Sequence, residues 1–224
     1  MKHLILFSGT KSFTKCIEKH YPEDTIVSID IEEKYNPSIC IDLLEWDYKL
    51  FFETYIPDYI HGSPVCREFS ICKNTTTRNL PAGFILVDKT IEIIEYVRTL
   101  NPNLKWTIEN PVNTYLNDYI DYNRLVVSYC KYGFNYRKNT YIWYGGFDLI
   151  LLQCRYDCNS LIDGKYHKEA ICFTKSTRPQ QQSDEQVLSL EKKRGNYIGY
   201  TRAMYRYRIP ELLIKSIIDQ LKIS

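Results

Sequence analysis

Two loop residues could carry covalent chemistry. In HGSPVCREFS, residues 61–70, Cys66 stands two places beyond Pro64 and directly before Arg67 and Glu68. A thiol outside a disulfide is usually a small core hydrophobe. A rigid, charged loop exposes it instead, and an exposed thiolate is a nucleophile. In KWTIENP, residues 105–111, Glu109 and Asn110 precede Pro111. A carboxyl group there can do acid–base work as readily as cap a turn, and the Asn-Pro behind it favours the chemistry. Asp30 closes the run TIVSID and Asp42 the run ICID, each with capping as its ordinary alternative role.

Two further segments suggest binding. Cys154-x3-Cys158-x8-His167-x4-Cys172 matches structural zinc ligation in residue type and count. Cys172, inside the apolar AICF, has a competing reading as a buried strand residue. Between Glu191 and Arg208 lie six Lys or Arg, including Lys192, Lys193, Arg194 and Arg202, interleaved with four Tyr and opposed by one acid. That pattern suits a phosphate backbone, or else a solvated basic face.

These groups need elements to position them. HLILF (3–7), TIVSID (25–30), ICID (39–42), DYIHG (58–62) and KWTIEN (105–110) are short apolar runs. Helical patterns over 13–21, 48–55 and 84–100 alternate with them, the first with Ser12 as its cap. Strands alternating with helices predict an α/β, doubly wound, mostly parallel sheet covered on both faces. RLVVSYC (124–130) and NTYIWYG (139–145) are close enough for an antiparallel pair, and the segment IPELLIKSIIDQLKI, with Pro210 near its start, predicts a closing helix. Residues 1–144 are expected to form the catalytic unit, 145–200 a small irregular annex, and 201–224 a return to the core. In doubly wound sheets ligands sit at the carboxyl ends of the strands. The thiol, the carboxyl and Asp30 should therefore meet at one edge, with Asp30 placed for ribose hydroxyls.

The bulk composition adds boundaries. The chain has 224 residues, 44% of them apolar, and a net charge of +2, as expected of an ordinary globular protein. The apolar run before Ser8 is only four residues long, too short for a signal peptide, and no apolar run reaches membrane length. An intracellular location is expected. Its eight Cys are then thiols or metal ligands.

In order along the chain, FSGTKSFT, SIDI, SPVCREFS, ENP, YGFNYRKNTYIW and YRIPELLIKSII resemble the motifs of the DNA cytosine-5 methyltransferases, most of all the short forms of phages and large DNA viruses. The resemblance implies a Rossmann-like fold dependent on S-adenosyl-L-methionine (AdoMet), with DNA as partner. It implies Cys66 as the thiolate that adds to cytosine carbon 6, Glu109 as the acid at ring nitrogen 3, and Asn110 as the residue orienting the loop. Phe7, Ser8, Gly9, Thr10, Ser12 and Phe13 would surround the methionine part, with Pro64 beside them. Asp30 would hold the ribose, Ile31 pack on the adenine and Asp42 read its amino group. The stretch Arg67–Gly83, with Lys73 and Arg78 facing nucleic acid, would close over a flipped base. Three positions depart from the family pattern. Lys11 replaces a Gly, Val65 replaces the second Pro of Pro-Pro-Cys, and Tyr141 replaces an Arg that contacts the cytosine oxygen. Arg137 or Lys138 is the expected substitute for that Arg. About fifty-five residues between Trp143 and Tyr200 form a much smaller target-recognition region than is usual. Lys11, Val65 and Tyr141 raise one alternative, a homologue that binds AdoMet or nucleic acid without turnover; a second, the same chemistry on RNA, stays open because the reacting base is identical.

Overall fold

The computed structural model describes residues 1–69, 77–112, 114–168 and 207–223. Strands β1 (Lys2–Leu6), β2 (Thr25–Asp30), β3 (Ile39–Cys40), β4 (Tyr59–Gly62), β5 (Lys105–Pro111), β6 (Arg124–Ser128) and β7 (Asn139–Gly145) form one sheet in the order β3-β2-β1-β4-β5-β7-β6. The first five are parallel, and β7 runs antiparallel to both β5 and β6. The order reverses at β1, so its exit loop and that of β4 diverge around a crevice.

Alternating side chains of the same strands feed two cores. Leu4, Leu6, Ile60, Trp106, Ile108 and Trp143 pack against α2 (Tyr48–Phe52) and α3 (Leu80–Leu100). Ile5, Tyr59, Val127 and Ile142 pack against α1 (Ser12–His20) and the last helix. That last helix follows α4 (Thr114–Asn117) in chain order and is α5 (Glu211–Ile223). It buries Leu213, Ile214, Ile217, Ile218 and Leu221. Glu211 also accepts from Lys19 and His20 of α1. No helix among the described residues is long and apolar enough to cross a membrane.

Two local expectations are corrected. Ser12 does not cap α1. The N-cap is Lys11, and Ser12 Oγ accepts instead from the amide of Ile209 at 3.2 Å. Helix α3 begins at Leu80 rather than at Phe84. Asn79 caps it through Ala82 N, and Pro81 is tolerated because the first turn has no amide partner to lose. After β7, the described residues of the annex hold one short hairpin, β8 (Leu161–Ile162) with β9 (Tyr166–His167).

His61 on β4 is fully enclosed. Its ring stacks on Phe13 at 3.7 Å, and its nitrogens meet Thr107 Oγ1 and Ser63 Oγ, each at 2.8 Å. Burial pushes its pKa down from 6.5 to about 3. The unfolded chain therefore takes up this proton first as pH falls, so the stability contributed by neutral His61 is complete above pH 6.5 and drains away towards pH 3. The loss is expected to reach about 1.4 kcal/mol per pH unit. Urea unfolding at pH 7 and pH 5 should show a steeper decline in the wild type than in His61→Asn. Gly146 has φ +84°, and a Cβ there would lie 2.2 Å from the carbonyl oxygen of Leu104. Gly146→Ala should cost at least about 1–3 kcal/mol, read from the urea midpoint.

Candidate active site

The loop after β1 is tightly wound. Phe7 (φ 57°), Gly9 (φ 45°) and Lys11 (φ 60°) are all left-handed. Two of them are not Gly, each at a strain of about 1–3 kcal/mol. Neighbouring strand ends hold the loop in place. Ser8 N donates to Ile29 O at 3.0 Å, and Gly9 N donates to Asp30 Oδ2 at 2.7 Å. Asp30 Oδ1 accepts from Glu32 N, and each carboxylate oxygen keeps a further acceptor position. Lys11 turns outward, its ammonium on Asn36 O at 2.9 Å. The missing Gly is thus accommodated by a strained Lys directed away from the crevice.

The loops after β4 and β5 are joined. Asn110, 1% exposed, donates from Nδ2 to Pro64 O at 2.9 Å. This bond fixes the backbone two residues before Cys66. Val65 is exposed and Cys66 half-buried, and Phe69 three residues on is fully buried. Phe69 packs where Gly83 leaves room on α3, since a Cβ on Gly83 would meet Phe69 Cζ at 2.7 Å.

Glu109 is 6% exposed. Its Oε1 accepts from Tyr129 Oη at 2.9 Å and faces Lys138 Nζ at 3.4 Å. Lys138 lies over the Tyr129 ring at 4.6 Å. Burial, then the Glu109 charge, pushes the Tyr129 hydroxyl well above its usual pKa, so it stays a neutral donor.

The first loop, the ends of β2 and β3, the Pro64–Cys66 turn, Glu109 and Lys138 surround one cleft of about 830 Å³. Its walls include Phe7, Ser8, Gly9, Thr10, Ser12 and Phe13 from the first loop, and Asp30, Ile31 and Asp42 from the ends of β2 and β3. Pro64, Cys66, Glu109 and Lys138 close the other side. Asp42 also caps its own turn through Leu44 N. Among the described residues, buried Ser8 Oγ has no hydrogen-bond partner, as expected of a group directed at a ligand.

Some expected residues are elsewhere. Arg137 does not line the cleft. Its guanidinium lies over Tyr156 at 5.1 Å and its Nε meets Asn139 Oδ1. Tyr141 cannot stand in for the family's Arg, because strand alternation turns it to the opposite face, where its hydroxyl donates to Asn117. Lys138 is the cation beside the acid. Arg78 is engaged within the chain, donating to Glu68 O at 2.7 Å and lying over the Tyr115 ring. Together with Asn79 N on Glu68 Oε2, it ties the two ends of the expected covering loop to each other. Lys73, Cys172, Lys192, Lys193, Arg194 and Arg202 lie outside the described residues. Three of the four expected metal ligands, Cys154, Cys158 and His167, do come together, and Cys130 joins them. Of the two expected substitutes for the family's Arg, Lys138 and not Arg137 lines the cleft; Cys130 was missed. Tyr207 and Ile209, which also line the cleft, were missed as well, for want of any motif signal.

No family model matches the chain. It is 28% identical over 235 residues to the probable DNA (cytosine-5)-methyltransferase of Frog virus 3 (isolate Goorha), covering 98% of this chain and 99% of that one. Among solved structures it is similar to the Entamoeba histolytica methyltransferase EhMeth, with 12% identity, a TM-score of 0.52, and coverage of 99% and 97% of the two chains. It is also similar to the S. pombe Dnmt2 methyltransferase, with 17% identity and a TM-score of 0.44 over 66% of this chain and 50% of that one. The EhMeth likeness and the strand order establish the Rossmann-like methyltransferase fold. The end-to-end likeness to the viral protein bears out the resemblance carried by the motifs: over nearly its whole length the chain is similar to a probable DNA (cytosine-5)-methyltransferase of a large DNA virus.

Proposed function

We propose that the protein transfers a methyl group from AdoMet to carbon 5 of cytosine in DNA, through a covalent bond to Cys66. The observation that carries this reading is that Cys66 and Glu109 line one cleft with the strained Phe7–Phe13 loop and Asp30. The unpartnered Ser8 hydroxyl, the spare acceptor positions of Asp30, and the exposed face of Ile31 fit a polar, nucleoside-bearing cofactor. AdoMet, when bound, supplies an electrophilic methyl group.

The chain's own residues supply the remaining chemistry. The Cys66 thiolate adds to carbon 6 of a flipped cytosine, forming a C–S bond and placing an electron pair on carbon 5. Glu109, as the acid, hydrogen-bonds ring nitrogen 3 and steadies the charge that develops in the ring. Lys138 lies beside that carboxyl and supplies the positive charge that the family draws from an Arg. Asn110 keeps Pro64, and through it the thiol, in register with the acid. After transfer a base removes the carbon 5 proton, and the C–S bond breaks to return the thiolate. The annex, held by a structural zinc, would present the nucleic acid to this cleft, with the basic segment from Lys192 to Arg202 on its phosphates.

Incubation with labelled AdoMet and duplex DNA carrying 5-fluorocytosine tests the reading, because the fluorine cannot leave as a proton does and the adduct accumulates. A covalent protein–DNA band is expected from the wild type and none from Cys66→Ala, with AdoMet affinity unchanged within a few-fold. Binding without a band on any DNA would instead mean a non-catalytic homologue, and a band only with RNA would move the substrate. Lys138→Met should slow adduct formation by about a hundredfold. It should also cost about 3–5 kcal/mol of stability, since Glu109 is left buried with one neutral partner; urea unfolding measures the second effect separately.

A further inference from the structure

We propose that Cys130, Cys154, Cys158 and His167 form a closed four-ligand zinc site that fastens the annex to the catalytic sheet. The proposal extends the reading of the annex above and stands on side-chain geometry. The four donor atoms all lie within 4.8 Å of one another. Cys154 Sγ and His167 Nε2 are 3.6 Å apart. A tetrahedral zinc with Zn–S of about 2.3 Å and Zn–N of about 2.0–2.1 Å sets those two atoms about 3.6 Å apart. Three thiolates and an imidazole select a borderline-soft ion over magnesium or calcium.

The backbone is shaped around the sulfurs. Between Cys154 and Cys158 the chain makes a tight turn with Tyr156 left-handed at φ 63°. The β8–β9 hairpin brings His167 in from the opposite side. Three thiolates and one zinc leave a net charge of −1. Lys131, paired to Asp157 at 2.9 Å, and Arg137, stacked over Tyr156 beside His167, bring positive charge to its border. This accounts for where Arg137 goes.

Among the described residues, the apolar cluster beneath the annex consists of these three Cys and Leu161. That is far too little burial to order a segment of this length, and a metal supplies the difference. All four positions are taken by protein, so the site is structural rather than catalytic. Cys130 sits in the turn Tyr129–Tyr132 that follows β6. Its neighbour Tyr129 is the residue that donates to Glu109. The metal therefore braces the turn that carries one of the two partners of the acid.

Metal analysis by mass spectrometry of the full-length protein, purified with zinc in the medium, should find about one zinc per chain. Cys130→Ser should lower that content at least tenfold. Cys172→Ser should leave it at one, although spacing along the chain favours Cys172 as the fourth ligand. If Cys130→Ser fails to fold, cobalt exchanged into the wild type decides: intense visible bands of a tetrahedral ion and thiolate-to-cobalt charge transfer scaled to three sulfurs are expected. A wild type that retains less than a tenth of an equivalent of zinc, an octahedral cobalt spectrum, or metal lost in Cys172→Ser but kept in Cys130→Ser would overturn the site. Metal counting needs neither AdoMet nor DNA. Full metal without a 5-fluorocytosine adduct would count against the reaction, and an adduct without metal against this site.

Discussion

Parallel pairing sets the terms for everything at the cleft. Because β1, β2, β4 and β5 run the same way, their exit loops leave from one edge, and hydrogen bonds between those loops finish the arrangement. Gly9 to Asp30 ties the first loop to the second, and Asn110 to Pro64 ties the fifth strand to the fourth. Each such bond contributes about 0.5–1.5 kcal/mol net. The left-handed residues Phe7 and Lys11 cost a comparable amount or more. The loop holds its shape because the sheet beneath it is over-determined, with Leu4, Leu6 and Ile60 fully buried.

The antiparallel strand does different work. Since β7 runs back against β5, Thr140 pairs with Pro111 and the residues just ahead of β7 fall at the same edge as Glu109. Lys138 arrives there by register, and its ammonium is set against a carboxylate that is almost out of water. Two charges buried together carry a desolvation penalty that good geometry only partly repays. Their retention at this place is easier to understand as chemistry than as stability. Tyr129 completes the group as a hydroxyl too deeply buried to ionise.

Much of this was legible in the sequence. Short apolar runs ending in Asp30, Asp42 and Glu109, and one running into Pro64–Cys66, are enough to expect these groups at one edge. What escaped the reading depends on geometry that pattern does not carry. Whether Arg137, Lys138 or Tyr141 faces Glu109 is a matter of strand phase, and a shift of one residue exchanges the faces. Cys130 lies twenty-four positions before Cys154, outside the short spacings that mark a ligand pair, and the turn after β6 brings it near. Pro81 and Gly83 read as loop residues, yet a helix tolerates Pro in its first turn, and Gly83 serves Phe69. Ser12 had the right chemistry for a cap, but the amide of Ile209, almost two hundred residues later, claims its hydroxyl.

That last contact has a thermodynamic corollary. The chain returning from the annex builds one wall of the small-molecule pocket, through Tyr207 and Ile209. Any macromolecule that shifts this wall on docking changes the pocket's affinity for its occupant, and the occupant must change the docking affinity by the same factor. The two binding events in such a protein are coupled through a shared partition, with no separate effector site required.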